Sequence, residues 1–206
     1  MSQTIATLSN NAGILSYQEF LAQAPDGSHL EWVDGKVVEM TPVSNAHADV
    51  ANFLSGVLTI LVRSQRLGRL FQEPFQMKTG DTLSGRSPDI MFVSTEHLGQ
   101  IRDNYLEGPA DAAIEIVSPG SRTIDHGEKF YEYEQGGVKE YWILDPHRKR
   151  AEFFHLDAEG LYAAMPLDAQ GLFHSREIAG CWFKPEQLWP GQMPPILDVL
   201  RDWKVI

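Results

Sequence analysis

Two acidic residues interrupt apolar runs that otherwise read as buried strands: Asp89 in SPDIMFV and Glu115 in DAAIEIVSPGS. A carboxylate among buried apolar side chains is tolerated when it is paired or holds a cation. Side chains alternate along a strand, so Asp89, Met91 and Val93 share one face, as do Ala113, Glu115 and Val117. The two acids are 26 positions apart (115 − 89), enough for a strand, a connection and a return to a neighbouring strand. In a suitable register they converge, and close carboxylates repel unless a proton or a cation lies between them. Oxygen ligands suit Mg²⁺, which commonly takes one or two carboxylates and keeps waters for a phosphate substrate. Asp125, Lys129 and Tyr133 follow at i, i+4 and i+8, on one face of a helix. A lysine reaching from there to the Glu115 strand can orient a nucleophile or stabilise charge on phosphorus.

Each residue also has a plainer reading. Asp89 alone fits a turn at a strand start. Glu115 fits a structural ion pair with Lys129 or Arg122, since charged residues are rarely buried without a partner. Lys129 fits a solvated helix position, His47 a helix start, and Glu31 a strand position facing water. His126, His147, His155 and His174 share no metal-ligand spacing and read as surface or packing residues. Cys181 reads as a small buried residue, and Trp142, Trp182 and Trp189 as core anchors.

The elements that must position these residues are legible from pattern. Ser16-Tyr17-Gln18-Glu19 opens like a capping box, predicting a short helix to about Ala22. HLEWVDGKVVEM predicts a hairpin about Asp34-Gly35. Val50, Phe53, Leu54, Val57, Leu58 and Leu61 predict a long amphipathic helix over about 46–65, with Gly68 as its stop. Strands are expected over about 70–78 and 89–93, then around Glu115. A helix over 122–135 follows, and KEYWILD and AEFFHL predict two further strands. This order predicts an α/β (α+β) mixed sheet flanked by helices. Residues 1–15 read as an arm and 16–206 as one domain. Its core spans about 16–156, with a small β-rich extension over 157–206.

The chain has 206 residues, enough for one substantial domain, and a single cysteine, which excludes an internal disulfide. The N-terminus lacks the basic start and apolar run of a signal peptide, and no apolar run is long enough for a membrane span. A cytoplasmic protein without a membrane partner is expected. The net charge of −11 counts against a nucleic-acid partner, because phosphate contacts come mainly from Lys and Arg. A local basic cleft is still compatible with an acidic surface.

Ser87-Pro88-Asp89, Glu115-Ile116-Val117-Ser118, Asp125…Lys129…Tyr133 and Gly137-Val138-Lys139-Glu140-Tyr141-Trp142-Ile143-Leu144-Asp145-Pro146 come in this order. Together with EWVDGKVVEM and Pro42…His47 upstream, the set resembles the restriction endonuclease family called Uma-two, of the PD-(D/E)XK nuclease superfamily. The likeness covers about residues 16–156 and extends to CWFKPEQLW. It implies a restriction-endonuclease-like core and a Mg²⁺-dependent endonuclease acting on DNA through a metal-activated water, with Mn²⁺ as a substitute. It implies Asp89 and Glu115 as metal ligands, with the backbone carbonyl of Ile116 as a third. The superfamily places a lysine two residues after the second acid, where this chain has Val117; Lys129 is the residue that matches instead. Glu31 and His47 match supporting polar positions. A homodimer is expected, as such cores pair through sheet edges and apolar faces. Two other readings use the same residues: a catalytically idle nuclease fold serving as a binding or assembly module, and a metal phosphodiesterase for a small substrate.

Overall fold

The computed structural model describes residues 14–25 and 27–206; most of the arm expected over 1–15 lies outside the described residues. The strands are β1 (Leu30–Val33), β2 (Lys36–Glu39), β3 (Gly68–Gln72), β4 (Gln76–Lys78), β5 (Gly85–Arg86), β6 (Ile90–Ser94) and β7 (Tyr105–Glu107). They continue with β8 (Ala112–Ile116), β9 (Glu140–Asp145), β10 (Arg150–Leu156), β11 (Tyr162–Ala164), β12 (Phe173–His174) and β13 (Trp182–Phe183). The α-helices are α1 (Tyr17–Gln23), α2 (Asn45–Ser64), α3 (Arg122–His126), α4 (Glu128–Gly136) and α5 (Ile196–Asp202).

Six strands form the central sheet in the order β11-β10-β9-β8-β6-β3. Only β8 and β9 are parallel neighbours, so the sheet is mixed as expected. Strand alternation divides the core into two faces. Ile90, Phe92, Ala112, Ile114, Ile116, Trp142 and Leu144 pack with the apolar stripe of α2. Met91, Val93, Ala113, Val117, Tyr141 and Ile143 pack with Tyr133 of α4 on the other face. A second sheet, ordered β2-β1-β5-β4-β7, carries the hairpin, whose Asp34-Gly35 turn has both residues at positive φ. That conformation matches the strand twist of a tight reversal.

Three boundaries differ from expectation. Gly68 does not stop α2. Arg66 takes the left-handed position instead, Leu67 N–H returns to Val62 O at 3.0 Å and Arg66 N–H to Arg63 O at 3.3 Å. This closes the helix end as a Schellman motif. Gly68 serves β3, where a Cβ would stand 2.1 Å from the Val93 carbonyl oxygen. The strand expected over 70–78 is two strands in different sheets, because Pro74 has no N–H to continue a ladder. The helix expected over 122–135 is two, broken at Gly127, whose φ and ψ of −119° and −89° leave the helical region.

The C-terminal extension contributes Phe173, Ile178, Cys181, Phe183, Leu188, Trp189, Val199 and Trp203 to the face under α2. It is less purely β than expected, since α5 closes it. Glu140 organises the join: its buried carboxylate accepts from Trp142 Nε1 (2.6 Å), Ser175 Oγ (2.7 Å), Arg176 N–H (2.7 Å) and Glu177 N–H (3.1 Å).

Asp111 acts as a buried clamp at the entrance to β8. Its carboxylate meets Ser94 N–H at 2.7 Å, His97 Nδ1 at 2.9 Å and Lys139 Nζ at 2.8 Å, tying β6 and the start of β9 to β8. Burial works to raise its pKa, but these bonds hold it below the ordinary carboxylate value. Asp111→Ala is expected to destabilise the fold by about 2–4 kcal/mol, since several charged or backbone partners lose their acceptor. The sign with pH follows from the lowered folded value. The clamp's contribution is complete above the unfolded carboxylate pKa, about 3.9, and is lost as pH falls through the folded value. Urea unfolding of both proteins between pH 7 and pH 2.5 checks this; an equal deficit at every pH would refute it.

Candidate active site

The antiparallel register of β6 and β8 pairs Ile90 with Ile114 and Met91 with Ala113. Continued by one pair, it sets Asp89 opposite Glu115. Asp89 is held there by both oxygens. Oδ2 accepts the Ile116 N–H at 2.6 Å, and Oδ1 lies 3.1 Å from Nε2 of His47, one turn into α2. The SPGS break after β8 then turns the chain so that α3 and α4 lie beside this strand end. Asp89, Glu115, Ile116, His47, Asp125 and Lys129 border a single cleft, whose other wall includes Val38 to Thr41 and Val43.

Lys129 is the hub. It is only 3% exposed, which excludes the solvated-helix reading. Its Nζ stands 2.9 Å from Glu115 Oε2, 3.6 Å from Asp125 Oδ1 and 3.7 Å from Glu31 Oε1. The phenol of Tyr133 donates to Glu115 Oε1 at 2.7 Å. The predicted stripe of Asp125, Lys129 and Tyr133 therefore survives the break at Gly127 and all three face inward. Glu115 does form the structural ion pair foreseen as its alternative, with Lys129; Arg122 pairs with Asp145 instead, at 3.0 Å.

Glu31 faces the interior, not water, and sits behind Lys129. It accepts from Arg86 Nη1 at 3.0 Å and Ser87 N–H at 3.1 Å. Arg86, itself buried, also bonds Glu132 through Nε at 2.6 Å. Sequence reasoning missed Arg86 and Glu132. Arg86 lies just before the SPD motif in a turn-rich run, with no periodicity to show that it turns inward. Glu128 and Glu132, spaced i, i+4 beside the stripe, were the available signal for a buried cation.

The charges do not balance around Lys129. Burial pushes the Glu115 carboxyl up to about 8, with Asp89 and Asp125 adding to the rise against the pull of Lys129. Burial likewise raises Asp125, again opposed by Lys129. Burial works to lower Lys129, but the Glu115, Glu31 and Asp125 carboxylates outweigh it and hold the ammonium above its usual value. Glu31 goes the other way: burial disfavours its charge, yet Lys129 and Arg86 keep it below the usual range. His47 is raised despite burial, chiefly by its bond to Asp89.

Asp125 is the misfit. It is 1% exposed, and neither carboxylate oxygen has a hydrogen-bond partner. The adjacent Ser121 hydroxyl bonds within its own turn to Ser118, and its pull on the Asp125 carboxyl only partly opposes the rise from burial. Nδ1 of His47 is also buried and unpartnered. Unsatisfied buried polar atoms are costly, and a bound ion or water is one physical reason for them. Among the described residues, no three His, Cys, Asp or Glu side chains are grouped so that they could hold a metal ion by themselves. No helix among them is long and apolar enough to cross a membrane.

No protein of curated function matches this chain. A crystal structure described as a "putative nuclease belonging to DUF820 from Anabaena variabilis ATCC 29413" superposes with a TM-score of 0.70 at 18% identity, covering 84% of this chain and 97% of that one. This likeness concerns the fold. The model of the family Uma2, described as "Putative restriction endonuclease", matches residues 17–185. That span holds Glu31, His47, Arg86, Asp89, Glu115, Asp125 and Lys129, and this chain belongs to the Uma2 family.

Proposed function

We propose that the protein is a divalent-metal-dependent nuclease that hydrolyses DNA phosphodiester bonds in this cleft. The observation that carries the reading is the surplus of buried carboxylate over ammonium: Glu115, Asp125 and Glu31 gather on Lys129 with Asp89 alongside, and Asp125 is left without a hydrogen bond. Such a site lacks positive charge and oxygen-seeking partners. The donor set fits Mg²⁺ or Mn²⁺, held by Asp89 and Glu115 with the Ile116 carbonyl, and Asp125 within the same cleft. When bound, such an ion supplies a Lewis acid for the phosphate and lowers the pKa of water toward neutrality.

The chain's own groups supply the rest. Lys129 is held by Glu115 on one side and braced from behind by Glu31, which Arg86 in turn fixes. Its ammonium offers preorganised positive charge to a phosphate oxygen, where a dry, low-dielectric setting makes it count. Tyr133 leaves one Glu115 oxygen committed, which restricts the carboxylate to one orientation. His47 locks Asp89 against the end of β8.

The idle-module reading draws on the Glu115–Lys129 pair, which satisfies itself. The Asp125 carboxylate weighs against it, because this buried acid has only the 3.6 Å approach of Lys129 and no hydrogen bond, from which an idle site gains nothing. Incubating supercoiled plasmid with the protein and Mg²⁺ or Mn²⁺, with and without EDTA, tests the proposal. Nicked and linear products that vanish in EDTA are expected. An intact plasmid, together with no heat of Mn²⁺ binding by calorimetry, would overturn it. Hydrolysis of a nitrophenyl phosphodiester without any action on DNA would leave the small-substrate reading. A homodimer, proposed as the arrangement that cuts two strands, predicts twice the 23.1 kDa chain mass by light scattering.

A further inference from the structure

The net charge of −11 makes it necessary to ask what on this chain draws in a polyanion. The buried Lys129 and Arg86 do not, because carboxylates surround both. The turn between β9 and β10 differs. His147, Arg148, Lys149 and Arg150 are consecutive and exposed. Asp145, the acid at the base of the turn, is buried. One oxygen accepts the His147 and Arg148 N–H groups at 3.1 and 3.0 Å, and the other meets Arg122 Nε at 3.0 Å. Its charge is thus spent inside the turn and does not offset the cations outside. Glu152 takes up Arg150 at 2.8 Å and His126 at 2.8 Å. Arg148 and Lys149 have no ion pair among the described residues.

The turn also stands at the mouth of the cleft. His147 Nε2 is 3.4 Å from Ser44 Oγ, which caps α2 by accepting the N–H of His47. On its other flank Arg122 starts α3, the helix that carries Asp125, directly after the cleft-lining Gly120 and Ser121. The parallel pairing of β8 with β9 fixes this proximity, since both strands end at the same side of the sheet and Val117 N–H bonds Leu144 O at 2.8 Å.

We infer that the β9–β10 turn is the docking edge for the nucleic-acid backbone, with Arg148 and Lys149 taking phosphates beyond the one being cleaved. This rests on the DNA reading of the cleft and deepens it. Contacts of this kind position a duplex without reading its sequence, and each releases counterions. The turn can be changed without touching the cleft. Arg148→Ser is exposed, and Lys149→Asn suits the left-handed φ of 52° at that position.

The test measures binding of a fluorescent duplex by anisotropy over a range of NaCl, with Ca²⁺ present as an oxygen-seeking ion. The double turn variant is compared with the unchanged chain and with Lys184→Ser/Lys204→Asn, which removes the same charge from the C-terminal extension and suits the left-handed φ of 57° at Lys204. Loss of two phosphate contacts should lower the salt slope by roughly 2 and weaken binding about tenfold near 0.1 M salt. Duplexes of unrelated sequence should lose equally, the control variant should bind almost normally, and hydrolysis of a nitrophenyl phosphodiester should be unchanged. If the unchanged chain binds duplex and the turn variant binds it equally well with the same slope, the docking edge is refuted while the DNA reading stands. If the unchanged chain binds no duplex, both fall together. Equal weakening in the control variant would assign the effect to net charge and refute the turn.

Discussion

Glu115→Gln should leave a folded protein that no longer cleaves DNA, with the rate down by about 10³-fold or more, the scale on which removing a group that stabilises developing charge is felt. The substitution preserves shape and lets the side chain keep an acceptor for Tyr133, which now donates at 2.7 Å. It removes one of the carboxylates crowding Lys129, while Asp125 at 3.6 Å and Glu31 at 3.7 Å remain to hold the ammonium. Burial already disfavours the Glu115 charge. Stability should therefore change little, since relief of the desolvation and repulsion of the buried charge offsets the loss of its 2.9 Å pair with Lys129, whose ammonium keeps two other carboxylates. A purely structural ion pair predicts the opposite, with activity falling only as the fold fails. The checks are plasmid cleavage and thermal melting on one preparation, and Mn²⁺ calorimetry, in which binding should weaken strongly. A Glu115→Gln protein that cleaves as well as the parent would end the proposed mechanism.

Lys129→Met should show the reverse balance. Removing the hub leaves Glu115, Asp125 and Glu31 facing one another in a space that excludes water. Stripping one partner from a buried ionic cluster costs about 3–5 kcal/mol, because uncompensated charge stays behind. Two features separate this from generic core damage. The loss should shrink as pH falls, because protonating the stranded carboxylates removes the repulsion. Burial already raises the Glu115 and Asp125 carboxyls, and without Lys129 to oppose that rise the destabilisation is present at neutral pH and fades as the solution acidifies. Mn²⁺ should also raise the melting temperature of Lys129→Met more than that of the parent, because the ion fills a more negative site and ligand binding to the native state stabilises by mass action. Melting curves at pH 5 and pH 8, with and without Mn²⁺, read both. An equal deficit at both pH values and no added response to metal would show that Lys129 matters only as packing volume.

The two substitutions share one explanation, so their combination is informative. Asp125 carries no hydrogen bond, Glu115 is held against its preference for protonation, and a single ammonium stands between them. Neutralising an acid eases that arrangement and neutralising the base aggravates it. Glu115→Gln/Lys129→Met should consequently be more stable than Lys129→Met alone, and double-mutant analysis of melting data gives the coupling directly.

Much of this was legible without coordinates. The alternation of Met91 and Val93 with Asp89, and of Ala113 and Val117 with Glu115, placed both acids on one face of their strands, and the sheet follows that pattern. Helical spacing set Asp125, Lys129 and Tyr133 on one stripe. The capping box at Ser16 and the turn at Asp34-Gly35 fall where local chemistry demands them. These are short-range properties, decided by side-chain period, capping and backbone freedom within a few residues.

What the sequence alone determined, then, is the family resemblance, the mixed α/β class and the choice of Asp89, Glu115 and Lys129 as candidates. The tertiary structure alone decided the partners. Which residue neutralises Glu115, Lys129 or Arg122, depends on how α3 and α4 settle on the strand end after SPGS. That Glu31 turns inward depends on Arg86 arriving from another strand of the second sheet, 55 positions away. That the basic turn at 147–150 meets the cleft depends on the parallel pairing of β8 with β9. Electrostatic interactions between groups far apart in sequence have no period for a reader to detect. They come into being only when packing brings the groups together and excludes the water that would screen them.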